Sequence, residues 1–162
     1  MPGNRAELIR LGVLLPIAVV IGVGFYVFRD RLSGAVGDLQ VGDCIDQPAG
    51  AETIFEVQRR PCNEPHDGEV FAVVSHDAEA GASYPPEAEF GDMADDECVP
   101  LLESYSGLSL RDVYGRELTL DWYLPTEPGW NDGDRLVTCY VFQLGSKLTG
   151  SLRAIGASPS PL

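Results

Sequence analysis

The strongest candidate for chemistry is the segment Cys62-Asn63-Glu64-Pro65-His66-Asp67-Gly68-Glu69, which places a thiol, an imidazole and three carboxylates within eight residues. A zinc site would need three or four convergent ligands at spacings such as CxxC or HxxxH, and the chain has one other histidine. A catalytic nucleophile would need a setting such as GxSxG, or a cysteine left out of a disulfide. The segment instead predicts a turn into a strand at Glu69, with the His66 and Asp67 side chains bonded to local backbone groups. We expect no catalytic and no metal-ligating residue.

A second polar cluster, Trp130-Asn131-Asp132-Gly133-Asp134-Arg135, has the composition of a tight turn before a strand. Gly133 would supply the positive φ that such a turn needs. A calcium loop of the EF-hand type is twelve residues long and ends in Glu, so this run is too short. Trp122 and Trp130 are expected to fill the core of a small domain rather than line a groove. No cofactor is expected here either.

The four cysteines predict two disulfides, because their number is even, no CxxC occurs and histidines are few. Such bonds persist outside the cytoplasm. Cys98 would face inward on a helix and Cys139 lies in the middle of a strand, so their bond would join helix to sheet. Cys44 and Cys62 would then close the N-terminal section. The sequence leaves the other two pairings open.

The elements that would position these residues are mainly strands. Alternating β-branched and aromatic residues predict strands over 53–59, 69–75, 116–124 and 136–144. After Pro86, apolar residues at near-helical spacing predict one helix over 86–104, interrupted at Pro100; they are Phe90, Ala94, Cys98, Leu101 and Tyr105. The predicted fold is α+β: a small, mainly antiparallel sheet with one covering helix and two disulfides, preceded by a transmembrane helix.

That transmembrane helix is predicted at 11–28, an uncharged apolar run of eighteen residues that spans about 27 Å as a helix. A cleaved signal peptide is the less favoured interpretation, since Arg29-Asp30-Arg31 follows instead of small residues. Because the cysteines lie beyond the run, we expect 1–10 to be cytoplasmic and the rest extracytoplasmic. Residues 29–37 are then a juxtamembrane linker, 38–156 the extracytoplasmic domain and 157–162 a flexible tail.

The charge of the chain limits its partners. It has 25 acidic and 11 basic residues and a net charge of −14, and among the acids only Glu7 precedes the apolar run. This balance argues against nucleic acid and anionic lipid surfaces as partners of the domain. The expected contacts are membrane lipid through residues 11–28, and membrane or envelope proteins.

Taken in order, the landmarks of residues 38–156 resemble the septum formation domain family of actinobacterial envelope proteins. The motif residues that carry the resemblance, besides the four cysteines, are Gly42, Asp43, Pro65, His66, Glu69, Trp130, Gly133, Asp134, Arg135, Gly150 and Ser151. The resemblance implies a cysteine-paired domain tethered to a membrane and linked to division-septum or cell-wall processes. It implies disulfide and structural roles for these residues, and names no reaction or ligand.

Three functions are consistent with this sequence. The favoured one is a non-enzymatic, membrane-tethered binding or scaffold protein of the cell envelope or septum. The alternative is an accessory single-pass subunit of a larger assembly, such as a respiratory or secretion complex, because small residues in the anchor would permit close helix packing. The third is an envelope hydrolase that uses His66 and Glu69.

Overall fold

The computed structural model describes residues 33–47 and 56–156. Within these ranges, no helix combines the length and the apolar character that crossing a membrane requires. The predicted anchor at 11–28, the cytoplasmic segment 1–10 and the tail 157–162 lie outside the described residues.

Six antiparallel strands form one sheet in the order β1-β3-β2-β4-β6-β5. The long central pair is β4 with β6, and β5 closes one edge of the sheet beside β6. In chain order the strands are Ser33–Ala35 (β1), Cys44–Asp46 (β2), Glu56–Arg60 (β3), Gly68–Ser75 (β4), Leu118–Tyr123 (β5) and Leu136–Gln143 (β6). The four predicted strands correspond to β3, β4, β5 and β6, whereas β1 and β2 were not predicted.

The predicted linker at 29–37 is wrong at its C-terminal end. Ser33–Ala35 pairs with β3, and Val36–Asp38 forms a 3-10 turn. Leu39, just after that turn, is buried in the core. The domain therefore begins by Ser33, because edge pairing and an apolar contact hold this segment although its glycines and small residues suggested flexibility.

The covering helix runs through three segments, Glu87–Met93 (α1), a π-helical turn over Ala94–Cys98, and Val99–Ser106 (α2). The predicted interruption at Pro100 is taken up by this wide turn just before the proline, so the helical path continues. Because of the wide turn, the buried residues of the helix recur at every fourth position. This buried stripe consists of Phe90, Ala94, Cys98, Leu102 and Ser106. Leu101, predicted to face inward, is 43% exposed for this reason.

Three further short helices were not predicted: Leu110–Gly115 (α3), Glu127–Asn131 (α4) and Leu152–Gly156 (α5). The predicted single covering helix is thus one of several helical segments in an α+β domain. Ser109 starts α3 with a reciprocal capping box to Asp112, and the Thr126 side chain caps α4.

The sheet has an apolar cluster on each face. The larger lies between the sheet and the covering helix and includes both Cys98 and Cys139. The smaller, on the other face, contains Val70 among its buried residues. A β-bulge between Val70 and Ala72 adds Phe71 to the strand, so Phe71 and Ala72 both join the larger cluster. The bulge therefore changes which side chains of β4 reach the helix.

Candidate functional site

Both predicted disulfides are present, Cys44–Cys62 and Cys98–Cys139, and no free cysteine occurs among the described residues. The second joins the π-helical turn to the middle of β6. The first joins β2 to the turn after β3. In the sheet register Cys44 lies opposite Glu69 of β4. The Cys44–Cys62 disulfide therefore lies beside the polar segment 62–69.

Glu69 is a fully buried carboxylate. Its Oε1 accepts hydrogen bonds from the Tyr105 hydroxyl at 2.6 Å and the Ser151 hydroxyl at 2.7 Å. Its Oε2 accepts one from the Leu152 backbone N–H at 2.7 Å. Three donors from two distant segments thus satisfy one buried carboxylate, which fastens the C-terminal motif and the covering helix to β4.

Tyr105 is held as a neutral donor by this arrangement. Burial and the hydrogen bond to Glu69 raise the pKa of Tyr105 to about 12. The Arg153 guanidinium lies 4.3 Å from the centre of the Tyr105 ring and partly opposes that shift.

His66 is also fully buried. Its backbone exchanges two hydrogen bonds with Leu148, of 3.0 and 2.8 Å. Its Nδ1 lies 2.8 Å from the Glu64 carbonyl oxygen, as predicted for a local contact to the backbone, so Nδ1 carries the proton and Nε2 has a free lone pair. Nε2 is buried and has no hydrogen-bond partner within the described part of the chain.

One ring nitrogen of His66, the Cys44 Sγ and a carboxylate oxygen of Glu69 lie within 4.8 Å of one another. The sequence did not predict this group, because Cys44 lies on a separate strand. With the sulfur in a disulfide, the group has no thiolate to act as a nucleophile or ligand. His66 and Glu69, the pair considered for a hydrolase, are both closed to solvent.

The turn between His66 and Glu69 has little room for a side chain at Gly68. A side chain on Gly68 would place its Cβ 2.9 Å from the Val141 carbonyl oxygen, so a glycine lets β4 approach β6. Asp67 was expected to bond local backbone, and this expectation is wrong. It accepts from the distant Gln47 N–H at 2.8 Å and pairs with Lys147 at 2.9 Å, because the turn folds against the end of β2. Pro65 is exposed.

The second motif builds a cation–aromatic contact in the core. Trp130 is 1% exposed, as predicted for a core residue, and its indole N–H donates to the Ala82 carbonyl at 2.7 Å. The Arg135 guanidinium lies 3.8 Å from the centre of the indole ring and donates to the Trp130 carbonyl at 2.7 Å. Gly133 has a φ of +98°, as expected for this turn, and Asp134 Oδ1 accepts from the Leu136 N–H at 3.0 Å.

The remaining motif residues also make internal contacts. Asp43 pairs with Arg59 at 2.9 Å and accepts the Gln40 N–H at 2.9 Å. The Gly42 N–H donates to the Val70 carbonyl at 2.8 Å, and the Gly150 N–H to the Cys62 carbonyl at 2.8 Å.

Sequence reasoning missed a polar network on the other face of the sheet. The Gln47 side-chain amide donates to the hydroxyls of Tyr123 and Tyr140 at 2.8 and 2.9 Å, and the two rings stack at 4.5 Å. Burial raises the pKa of both tyrosines. Nearby, burial opposes ionisation of Asp46, but hydrogen bonds from Lys147 and Arg60 outweigh it and lower the Asp46 pKa. Such a network has no signature in sequence spacing.

A groove of about 190 Å³ lies between the covering helix and the β5 edge of the sheet. We call it the helical groove, and define it by the lining residues Asp95, Val99, Leu110, Tyr114 and Trp122. Trp122 was expected to fill the core rather than line a groove; it is half-buried against the core and also lines this groove. Tyr114 is 62% exposed at its rim. The adjoining helix, residues 87–106, has seven acidic side chains and no basic one.

The fold and these internal contacts define a small α+β domain cross-linked by two disulfides. The sequence model of the family described as Septum formation matches residues 34–139, and the chain belongs to this family. No curated protein and no solved structure matches the chain. The matched range extends from β1 into β6 and ends before the motif at 148–153. In the structure this motif is nevertheless hydrogen-bonded to Glu69 and Cys62. The family points to a role in division or the envelope.

Proposed function

We propose that this chain is a non-enzymatic, membrane-tethered extracytoplasmic protein that binds partner proteins during septum formation or envelope growth. The observation that carries the proposal is a contrast within the domain. Its polar motif residues are buried or half-buried and are hydrogen-bonded within the domain, whereas an acidic helix and an apolar groove face solvent. Family membership supplies the septal context.

The helical groove is the surface we assign to the partner. Its apolar lining and the Tyr114 ring fit an inserted aliphatic or aromatic side chain, since such anchors dominate binding energy. Asp95 in the lining and the neighbouring acids of the helix favour basic residues beside that anchor. The partner is therefore expected to present a basic segment with one apolar side chain at its centre.

The tether would help this contact. A domain that begins by Ser33 leaves few residues between the predicted anchor at 11–28 and β1. A short connection keeps the groove close to the membrane and raises the effective concentration of membrane-bound partners. The predicted orientation, with residues 1–10 in the cytoplasm, is part of this proposal.

The accessory-subunit alternative gives the anchor the main role. Its motivation is the spacing of Gly12, Ala18, Gly22 and Gly24 in the predicted helix. The hydrolase alternative is disfavoured, because the buried positions of His66 and Glu69 offer a substrate no access.

Partner capture by the tagged full chain in mild detergent tests the proposal. Asp95→Lys combined with Tyr114→Ala should lower partner recovery about tenfold, as loss of one anchor typically does. The matched control is Asp77→Lys, a charge reversal at a fully exposed acid away from the groove. Equal recovery from both variants would contradict the assignment of the groove. If replacement of residues 11–28 by an unrelated membrane helix abolishes capture while the groove variant does not, the accessory-subunit alternative is correct.

Orientation is tested separately in intact cells. A membrane-impermeant thiol reagent should label a cysteine introduced by Ser158→Cys and leave one introduced by Asn4→Cys unlabelled. The reverse pattern would refute the proposed topology.

A further inference from the structure

The unpartnered Nε2 of His66 requires an explanation, because a buried nitrogen acceptor without a hydrogen bond is costly. A ring nitrogen of His66 lies within 4.8 Å of a sulfur and a carboxylate oxygen, and Nε2 is the nitrogen available to a metal because Nδ1 donates to Glu64. Imidazole nitrogen, thiolate sulfur and carboxylate oxygen are the three donor types that zinc takes from proteins. In the oxidised protein the sulfur is not a thiolate, and the set is incomplete.

His66 and Glu69 have the hydrogen-bond partners that metal ligands usually have. A metal-bound histidine typically donates its other ring N–H to a backbone carbonyl, and His66 Nδ1 does so to Glu64 at 2.8 Å. Ligating carboxylates are in turn hydrogen-bonded, and Glu69 accepts three such bonds. These contacts fix the tautomer of His66 and the position of the Glu69 side chain before any metal arrives.

We propose that the Cys44–Cys62 disulfide is a redox-controlled closure, and that its reduction opens a zinc site formed by Cys44, Cys62, His66 and Glu69. A dithiol reductant would give two electrons and two protons to the bond, yielding two thiols and its own disulfide. Zn²⁺ then displaces the two thiol protons and is held by two sulfurs, one nitrogen and one oxygen. This set suits zinc, which favours tetrahedral sites rich in sulfur and nitrogen.

The geometry requires the ligands to rearrange. Zinc bonds imply ligand separations of roughly 3.3–3.8 Å in a tetrahedron, so Cys44, His66 and Glu69, which lie within 4.8 Å of one another, would draw together. The Cys44 and Cys62 sulfurs would move apart after reduction, and Cys62 would enter the site from outside that group. A reductant can reach the bond, because a polar groove of about 180 Å³ is lined by both cysteines together with Arg59 and Arg60.

Cobalt binding to the full chain in mild detergent tests the site. In Cys98→Ala/Cys139→Ala protein only the proposed pair can be reduced. After phosphine reduction, one equivalent of Co²⁺ should give thiolate-to-cobalt charge transfer and intense tetrahedral ligand-field bands, which Zn²⁺ then abolishes. The oxidised sample of the same protein should show neither. A weak octahedral spectrum in the reduced protein, or equal binding before and after reduction, overturns the proposal.

Two comparisons separate a built site from adventitious thiol binding. His66→Gln should weaken the apparent zinc affinity by more than about tenfold, since loss of even a supporting contact costs that much. His76→Gln, at the other histidine, should leave it unchanged. Equal affinities in these two variants would show that the thiolates act alone and would refute the proposed ligand set.

If the Cys98→Ala/Cys139→Ala protein does not fold, the test uses reduced wild-type chain instead. The same bands should appear there and vanish in Cys44→Ser/Cys62→Ser. If reduction unfolds the domain, Zn²⁺ should restore its near-ultraviolet circular dichroism; reduced protein that neither refolds nor forms the bands refutes the proposal.

Discussion

Replacement of Glu69 by Gln tests whether the buried carboxylate holds the domain together. Gln has the same shape, but one oxygen becomes an amide donor. Its remaining oxygen can still accept from Tyr105 and Ser151, while the new amide faces the Leu152 N–H. One charge-assisted bond, worth about 1.5–3 kcal/mol, is lost and two donors face each other. We expect the free energy of unfolding to fall by about 2–4 kcal/mol.

Urea denaturation of the full chain, followed by fluorescence of Trp122 and Trp130, measures this change. The midpoint should move to lower urea while the m-value is retained, because the surface exposed on unfolding is unchanged. Glu103→Gln, an exposed acid of the covering helix, is the matched control and should stay within about 0.5 kcal/mol of wild type. A Glu69→Gln protein as stable as that control would show that the three donors contribute no net stabilisation.

Other outcomes follow from the same structure. Cys98→Ala/Cys139→Ala, which opens a loop with a sequence separation of 41, should lower the free energy of unfolding by about 4 kcal/mol under the chain-entropy model, as urea denaturation will check. Tyr105 titrates near pH 10 when unfolded and near 12 when folded, so stability should fall as pH rises from about 10 to 12. Tyr105→Phe should remove that part of the fall, and an unchanged pH profile would contradict the assignment. Gly133→Ala should cost about 1 kcal/mol in thermal unfolding, because φ is +98° and nothing crowds the site.

The sequence predicted elements whose pattern extended over several residues. The alternation in 116–124 and 136–144 was sufficient to locate β5 and β6. Three-residue strands such as Cys44–Asp46 have too little length for a period, so β1 and β2 were missed. The short helix α3 had a readable signal in the Ser109 to Asp112 capping box.

The sequence predicted those contacts of the site that are made by a disulfide or between residues close together in the chain. Inward positions on helix and strand favoured the Cys98–Cys139 pairing that is observed, and turn composition predicted a local backbone contact for the His66 ring, which the Glu64 carbonyl supplies. The partners of Glu69 come from 36 to 83 residues further along the chain. Such contacts depend on how elements pack, and no spacing rule gives them. The helix register beyond Cys98 likewise depended on a π-helical turn.

The hydrogen bonds from Ser151 and Leu152 to Glu69 also determine when this domain can complete its folding. Synthesis supplies the carboxylate long before its last two donors, and the central strand β4 before its partner β6. Until residues 136–152 emerge, the chain has an unpaired strand edge and a buried carboxylate that lacks two of its three donors. Folding of the domain must therefore be completed after residues 136–152 have been made. A chain truncated before residue 136 would keep the β4 edge unpaired, and such an exposed edge favours aggregation.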